Sequence, residues 1–271
     1  MTTKSEEMVS LPTLYRGDSL PTVSQGAKGP QRGRTFADYY VTEGLLAKST
    51  DGGLSRHLQQ PLEQLVAVHV GYGNENKEEQ YAAYHSPLIS FSTDATAAWH
   101  FLDRTAKKSF EACPIDDATH FMWRLTDVRV RQLSPGQFCF EYRKSTKNVD
   151  KFREQFVAAL RGGNESQLNR ALSTQIVHQN IQADTGLHIA HLIDVNTFLA
   201  GVDAAKHKVD ADLLARARER GEKWSEWLLY PMEVEEGLDG YSGRFSVNEA
   251  LDFHLFARKV PPQSAPPVKP T

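Results

Sequence analysis

Apolar positions along the chain change their period several times, and each change predicts an element. Residues 13–16, "TLYR", read as a short strand, followed by Gly17-Asp18 and a loop rich in Gly, Pro and Ser that lasts to Arg34. "TFADYYVTEGLLAKS" is helix-like in spacing. "LEQLVAVHVGYG" is a compact apolar stretch ended by two glycines, and "PLISFST" is a second compact run with β-like texture. Thr93 or Asp94 then suits an N-cap for "ATAAWHFLDRTAKK", where Ala97 and Phe101 recur at helical spacing. "HFMWRLTDVRVRQL" alternates Phe121, Trp123 and Leu125, then Val128 and Val130, as a strand does.

From about Asp150 to Gly221 the texture becomes helical, with apolar residues three and four apart and Gly162-Gly163 and Gly221 as stops. This segment reads as an insertion or subdomain. "EWLLYPMEV" is a strand candidate after it, and "FSVNEALDFHLFARKV" closes the fold. No internal repeat is visible. The pattern predicts an α+β domain over 13–258 with a helical insertion at about 150–221. It also predicts a flexible lead over 1–12 and, in the Pro-rich 259–271 with few groups able to bury, a disordered tail.

Composition narrows the function classes. Forty per cent apolar residues is enough for a proper core. A net charge of -3, from 31 Lys plus Arg against 34 Asp plus Glu, supplies no global basic field for nucleic acid and no polybasic membrane anchor. Neither a secretory h-region nor a run of about 18 apolar residues occurs, so the expectation is a cytoplasmic protein, or one exported without a signal peptide, and no membrane partner. Cys113 and Cys139 make no disulfide framework and lack metal-ligand spacing, though a single pair between them stays open.

Three positions carry chemistry worth singling out. Arg16 in "LYRGDS" ends an apolar strand, where a guanidinium presents a fixed fork to phosphate or ribose while Gly17 lets a ligand approach the backbone. Ser92 and Thr93 close another strand, with hydroxyls able to bond neighbouring backbone or a ligand amide. Glu226 precedes the apolar run Trp227 to Tyr230, and a carboxylate held there in a cleft can accept a sugar hydroxyl or stabilise developing positive charge. Each alone is matched by a bland alternative: a surface arginine, a helix cap, a strand-edge carboxylate. His188 and His191 could share a helix face as metal ligands, but no third ligand stands at a diagnostic spacing, and no metal is expected. Phosphate-cradling loops, nucleophile elbows and dinucleotide fingerprints are absent.

Taken in order, Arg16 on an early strand, "FST" at 91–93 with a helix-like run after it, and Glu226 leading "EWLLYP" resemble the mono-ADP-ribosyltransferase family of the arginine, serine, glutamate class. The resemblance covers roughly 13–130 and 222–256. It implies two small twisted sheets around an NAD cleft, with flanking helices and the helical insertion added. Arg16 would contact NAD phosphate or ribose, and the Gly17 backbone the nicotinamide amide. Ser92, supported by Thr93, would orient the ribose, and Glu226 would bond its 2'-hydroxyl and stabilise the cationic centre as nicotinamide leaves. NAD would be a co-substrate, the acceptor a protein or nucleic acid, the setting a toxin or effector, and a cognate inhibitor or antitoxin a further partner.

Departures from the family pattern bear on the acceptor. Asp94 stands where a second Ser is usual. The residue two before the glutamate, Glu in arginine-modifying toxins and often Gln elsewhere, is Trp224 here, which speaks against an arginine acceptor. The literal Glu-x-Glu is Glu233-Val234-Glu235, but Gly237 follows closely, so Glu226 is preferred. Arg16 and Asp18 have the Arg-x-Asp spacing of relatives that modify DNA bases. An NAD glycohydrolase and a non-catalytic binding module that keeps the fold are the alternatives.

Overall fold

Apolar residues alternate along the strands, so each strand has two faces to cover, and the chain covers them differently. The computed structural model describes residues 8–20, 45–47, 60–73, 76–84, 86–101, 119–145, 147, 151, 187–235, 238–241, 244–245 and 248–257. Its strands are β1 (Met8–Ser10), β2 (Leu14–Leu20), β3 (Leu45–Leu46), β4 (Ile89–Ser92), β5 (Thr119–Leu125) and β6 (Arg129–Ser134). They continue with β7 (Gln137–Arg143), β8 (Leu187–Asp194), β9 (Glu226–Glu235), β10 (Leu238–Tyr241), β11 (Arg244–Phe245) and β12 (Leu251–Ala257). The helices are α1 (Leu62–Gly71), α2 (Lys77–Tyr84), α3 (Val195–Ala200), α4 (Ala204–His207) and α5 (Ala211–Trp224), and residues 95–101 are also helical.

The main sheet has ten strands in the order β1-β6-β7-β8-β9-β4-β2-β5-β12, with β10 hairpinned onto β9; β3 and β11 form a separate pair. β5 and β6 are joined through Thr126–Val128 yet lie near opposite ends of that order. The sheet therefore curls, and its antiparallel ladders wrap one apolar face inward. Leu14, Phe91, Trp123, Leu125, Val130, Leu192, Trp227 and Leu229 fill that interior. Their alternating neighbours Ile193 and Leu228 point outward and are covered by α1, α3 and α5 through Leu65, Val66, Leu199, Leu213 and Leu214.

Close approach of α1 to α5 depends on Gly71. A Cβ there would meet the Leu213 carbonyl oxygen at 2.6 Å. The C-terminal carbonyls of α1, which lack intrahelical partners, accept from α5 instead: Arg216 Nε donates to Gly71 O at 3.0 Å and Arg220 Nη1 to Tyr72 O at 2.6 Å. Arg216 also pairs with Glu79 of α2 at 3.0 Å. These cations fix the end of α1 over β4 and β9.

Several sequence expectations change. Gly17 and Asp18 continue β2, opposite Met122 and Phe121, because the β2–β5 ladder runs on to Leu20 and supplies partners that local turn propensity cannot see. "LEQLVAVHVG" is helix α1: its buried positions Leu65, Val66, Val70 follow a helical face, which a short apolar run does not separate from a strand. Leu45–Leu46, placed in a helix from sequence, is strand β3, and Met8–Ser10, placed outside the fold, pair with β6. Inside the span read as a helical insertion, Leu187–Asp194 is strand β8, paired with β7 and β9 at the centre of the sheet. Among the described residues the expected mixed α and β architecture takes the form of a curled antiparallel sheet, in which β2 and β4 meet at Tyr15 and Ser92, with a minor strand pair. The tail from 258 and most of 150–186 lie outside the described residues. Among the described residues, no helix is long and apolar enough to cross a membrane.

Candidate active site

Helix α5 ends at Ser225, whose φ of 46° and ψ of 49° place it in the left-handed region and turn the chain sharply into β9. The end of β4 clamps this turn. Ser92 Oγ donates to Trp224 O at 2.6 Å, Thr93 N–H donates to Ser225 O at 3.2 Å, and Asp94 N–H donates to Ser92 Oγ at 2.9 Å. Asp94 Oδ1 in turn accepts from Thr96 N–H at 2.8 Å, capping the helical residues 95–101. Ser92 and Asp94 thus build the junction that delivers Glu226 as the first residue of β9.

Glu226 is the register partner of Ser92, and Ser90 is that of Leu228. Opposed residues of an antiparallel pair share a face, and so do residues two apart, which puts Ser90, Ser92 and Glu226 together on the helix-covered side. With the Ser92 hydroxyl committed to the junction, Ser90 supplies the hydrogen bond to the Glu226 carboxyl. Glu226 is half-buried. That burial is the largest influence and pushes it up from 4.5 to about 7, while the Ser90 hydroxyl and the Arg220 and Arg16 guanidinium charges oppose the rise.

Arg16 enters from β2. That strand pairs with β4 at Tyr15 opposite Ser92, and Arg16 Nη1 donates to the Ser90 carbonyl at 3.0 Å. Arg220 enters from α5, its guanidinium held by Tyr72 O and Val70 O. Behind Ser90 lies His69 of α1, with Nε2 2.7 Å from Ser90 Oγ and Nδ1 2.6 Å from Ser86 Oγ. Trp224 stands beside the site, stacked on His100 at 5.1 Å and edge-on to Phe101 at 5.1 Å. Trp99 and Phe101 are exposed.

Of the residues singled out from sequence, Arg16, Ser92, Thr93, Asp94, Trp224 and Glu226 are gathered around one strand junction. Gly17 lies on β2 next to Arg16; for Asp18 only the backbone is described. Glu233 and Glu235 belong to the far half of β9, in the hairpin with β10. His188 and His191 lie on a strand, not a helix, and three residues apart on a strand means opposite faces. Sequence reading missed Ser90, His69 and Arg220. Period two from Ser92 marks Ser90, but His69 sits in an apolar run whose helical state was not evident, and nothing distinguishes Arg220 from Arg216 and Arg218 without the packing of α1. Comparisons with family models, curated proteins and solved structures gave no match for this chain.

Proposed function

We propose that this chain is a mono-ADP-ribosyltransferase that cleaves NAD and passes ADP-ribose to a macromolecular acceptor, a protein or a nucleic acid, in the manner of a toxin or effector. One arrangement carries the reading: Glu226 starts β9 with the Ser90 hydroxyl bonded to its carboxyl, and the Arg16 and Arg220 guanidinium charges act on it to favour the ionised form. Breaking an N-glycosidic bond to a cationic leaving group needs a positioned negative charge more than a strong nucleophile. Glu226 is suited to bond the nicotinamide-ribose 2'-hydroxyl and to stabilise the positive charge that grows on the ribose carbon as nicotinamide departs. Arg16 and Arg220 offer cations for the pyrophosphate, and Gly17 offers backbone next to Arg16. The family's orienting role passes from Ser92 to Ser90, since the Ser92 hydroxyl already serves the Trp224 carbonyl.

Labelled NAD incubated with the protein and a cell lysate, followed by separate digestion with protease and with nuclease, tests the transfer and identifies the acceptor class. Label made soluble by one enzyme alone supports transfer to that class. Hydrolysis of NAD is the second reading, favoured by Trp224 in the position where arginine-modifying members hold a carboxylate. Nicotinamide release that lysate does not stimulate, without incorporation of label, selects it. A binding module that keeps the fold would release no nicotinamide.

A further inference from the structure

Among the described residues a row of hydrogen bonds runs to Glu226. Leu88 N–H donates to Ser86 Oγ at 3.2 Å, Ser86 Oγ is 2.6 Å from His69 Nδ1, His69 Nε2 is 2.7 Å from Ser90 Oγ, and Ser90 bonds the carboxyl. Ser86 is buried, and His69 and Ser90 are half-buried, so the row is largely shielded from water. A hydroxyl has one proton and a neutral imidazole one N–H, so the direction of each bond dictates the next. An ionised carboxylate only accepts. Ser90 O–H must then point at Glu226, its oxygen must take its second bond from His69 Nε2–H, and Nδ1 must accept from Ser86 O–H, whose oxygen accepts from Leu88. All donors then face the carboxylate. A protonated Glu226 permits the reverse arrangement, with the His69 proton on Nδ1.

From this geometry we infer that His69 is a positioning residue: its Nε2–H turns the Ser90 hydroxyl toward Glu226 and so favours the ionised carboxylate, tying the His69 tautomer to the charge of Glu226. An imidazolium keeps Nε2–H and serves equally. Among the described residues, the charged groups near the row include Arg16 from β2, Arg220 from α5 and, at the end of α1, the Arg216–Glu79 pair. The two arginines act on the carboxyl by charge, whereas His69 acts through the orientation of one hydroxyl. The role of His69 in turnover rests on the proposed NAD chemistry; the coupling itself does not.

The test is a carbon-13 titration of the Glu226 carboxyl in the full chain, compared among wild type, His69→Phe and His69→Gln. Phenylalanine fills space without a donor, and the glutamine amide replaces Nε2–H. His69→Phe should raise the Glu226 midpoint by a fraction of the roughly one pH unit expected for outright loss of a hydrogen bond to a charged group, since Ser90 loses the donor that orients it but keeps its hydroxyl. His69→Gln should hold it near the wild-type value. Ser90→Ala, which removes the hydrogen bond to the carboxyl itself, should raise the midpoint by about that full unit and serves if the His69→Phe variant fails to fold. A midpoint unmoved by Ser90→Ala, or moved equally by Phe and Gln at position 69, overturns the inference. Nicotinamide release measured in parallel separates the two claims: coupling without release keeps the row and removes the proposed reaction, and release without coupling does the opposite.

Discussion

Ser90 stands between Glu226 and His69, its hydroxyl bonded to the carboxyl of one and 2.7 Å from Nε2 of the other. Two residues on, Ser92 faces Glu226 in register but gives its hydroxyl to Trp224 O at 2.6 Å. Two serines on one face of one short strand therefore do different work, one on the carboxyl and one on the chain junction.

Substitution separates those two serines. Ser92→Ala leaves the part-buried Trp224 carbonyl and the Asp94 N–H without the Ser92 hydroxyl, and should lower the unfolding free energy by about 1 kcal/mol in urea melts. Nicotinamide release per folded molecule, where present, should retain its pH midpoint. Ser90→Ala should raise that midpoint. Equal stability loss in both variants with no change in midpoint would count against the division.

Glu226 should make the protein less stable as pH rises. Its folded pKa of about 7 exceeds the ordinary 4.5, so between those values the folded state holds a proton that the unfolded state has released. The stabilisation is fully present below pH 4.5 and is lost as pH climbs through about 7. On the order of 1–3 kcal/mol is involved, given partial solvent access. Glu226→Gln should flatten the difference between urea melts at pH 5 and pH 8 and raise stability at pH 8.

Gly71→Ala weighs two effects of opposite sign. Alanine is favoured over glycine inside a helix by roughly 1 kcal/mol. Here the added Cβ would meet Leu213 O at 2.6 Å and Ala217 at 3.0 Å, and the first of these is backbone that cannot swing away. Overpacking costs typically about 1–3 kcal/mol, so a net loss of stability is expected in urea melts. Because α1 carries His69, the displaced helix should also disturb the Glu226 midpoint.

The candidate positions were legible in sequence where chemistry and chain order coincided. Arg16, Ser92 and Glu226 stand out at strand ends, and they are gathered at one junction as their order implies. The alternation of "HFMWRLTDVRVRQL" likewise marks β5 and β6. What stayed hidden depends on long-range pairing. Leu187–Asp194 reads as part of a helical segment because it adjoins α3 through α5, yet its neighbours in the sheet are β7 and β9. Choosing between Ser90 and Ser92 requires knowing that Trp224 O needs a donor, a consequence of the left-handed turn at Ser225. His69 is legible only once α1 is a helix and its C-terminus is anchored by Arg216 and Arg220.

Nicotinamide release from NAD, followed for the wild-type chain and for Glu226→Gln from pH 5 to pH 9, addresses the central claim most directly. Gln keeps the shape and the hydrogen bond to Ser90 but cannot carry the negative charge. Wild-type release should rise with pH through about 7, and Glu226→Gln should lower it by about 10²–10³-fold at pH 8, as for loss of a preorganised electrostatic group. Release by Glu226→Gln equal to that of the wild type across this range, or none from the wild type at any pH, would contradict that claim.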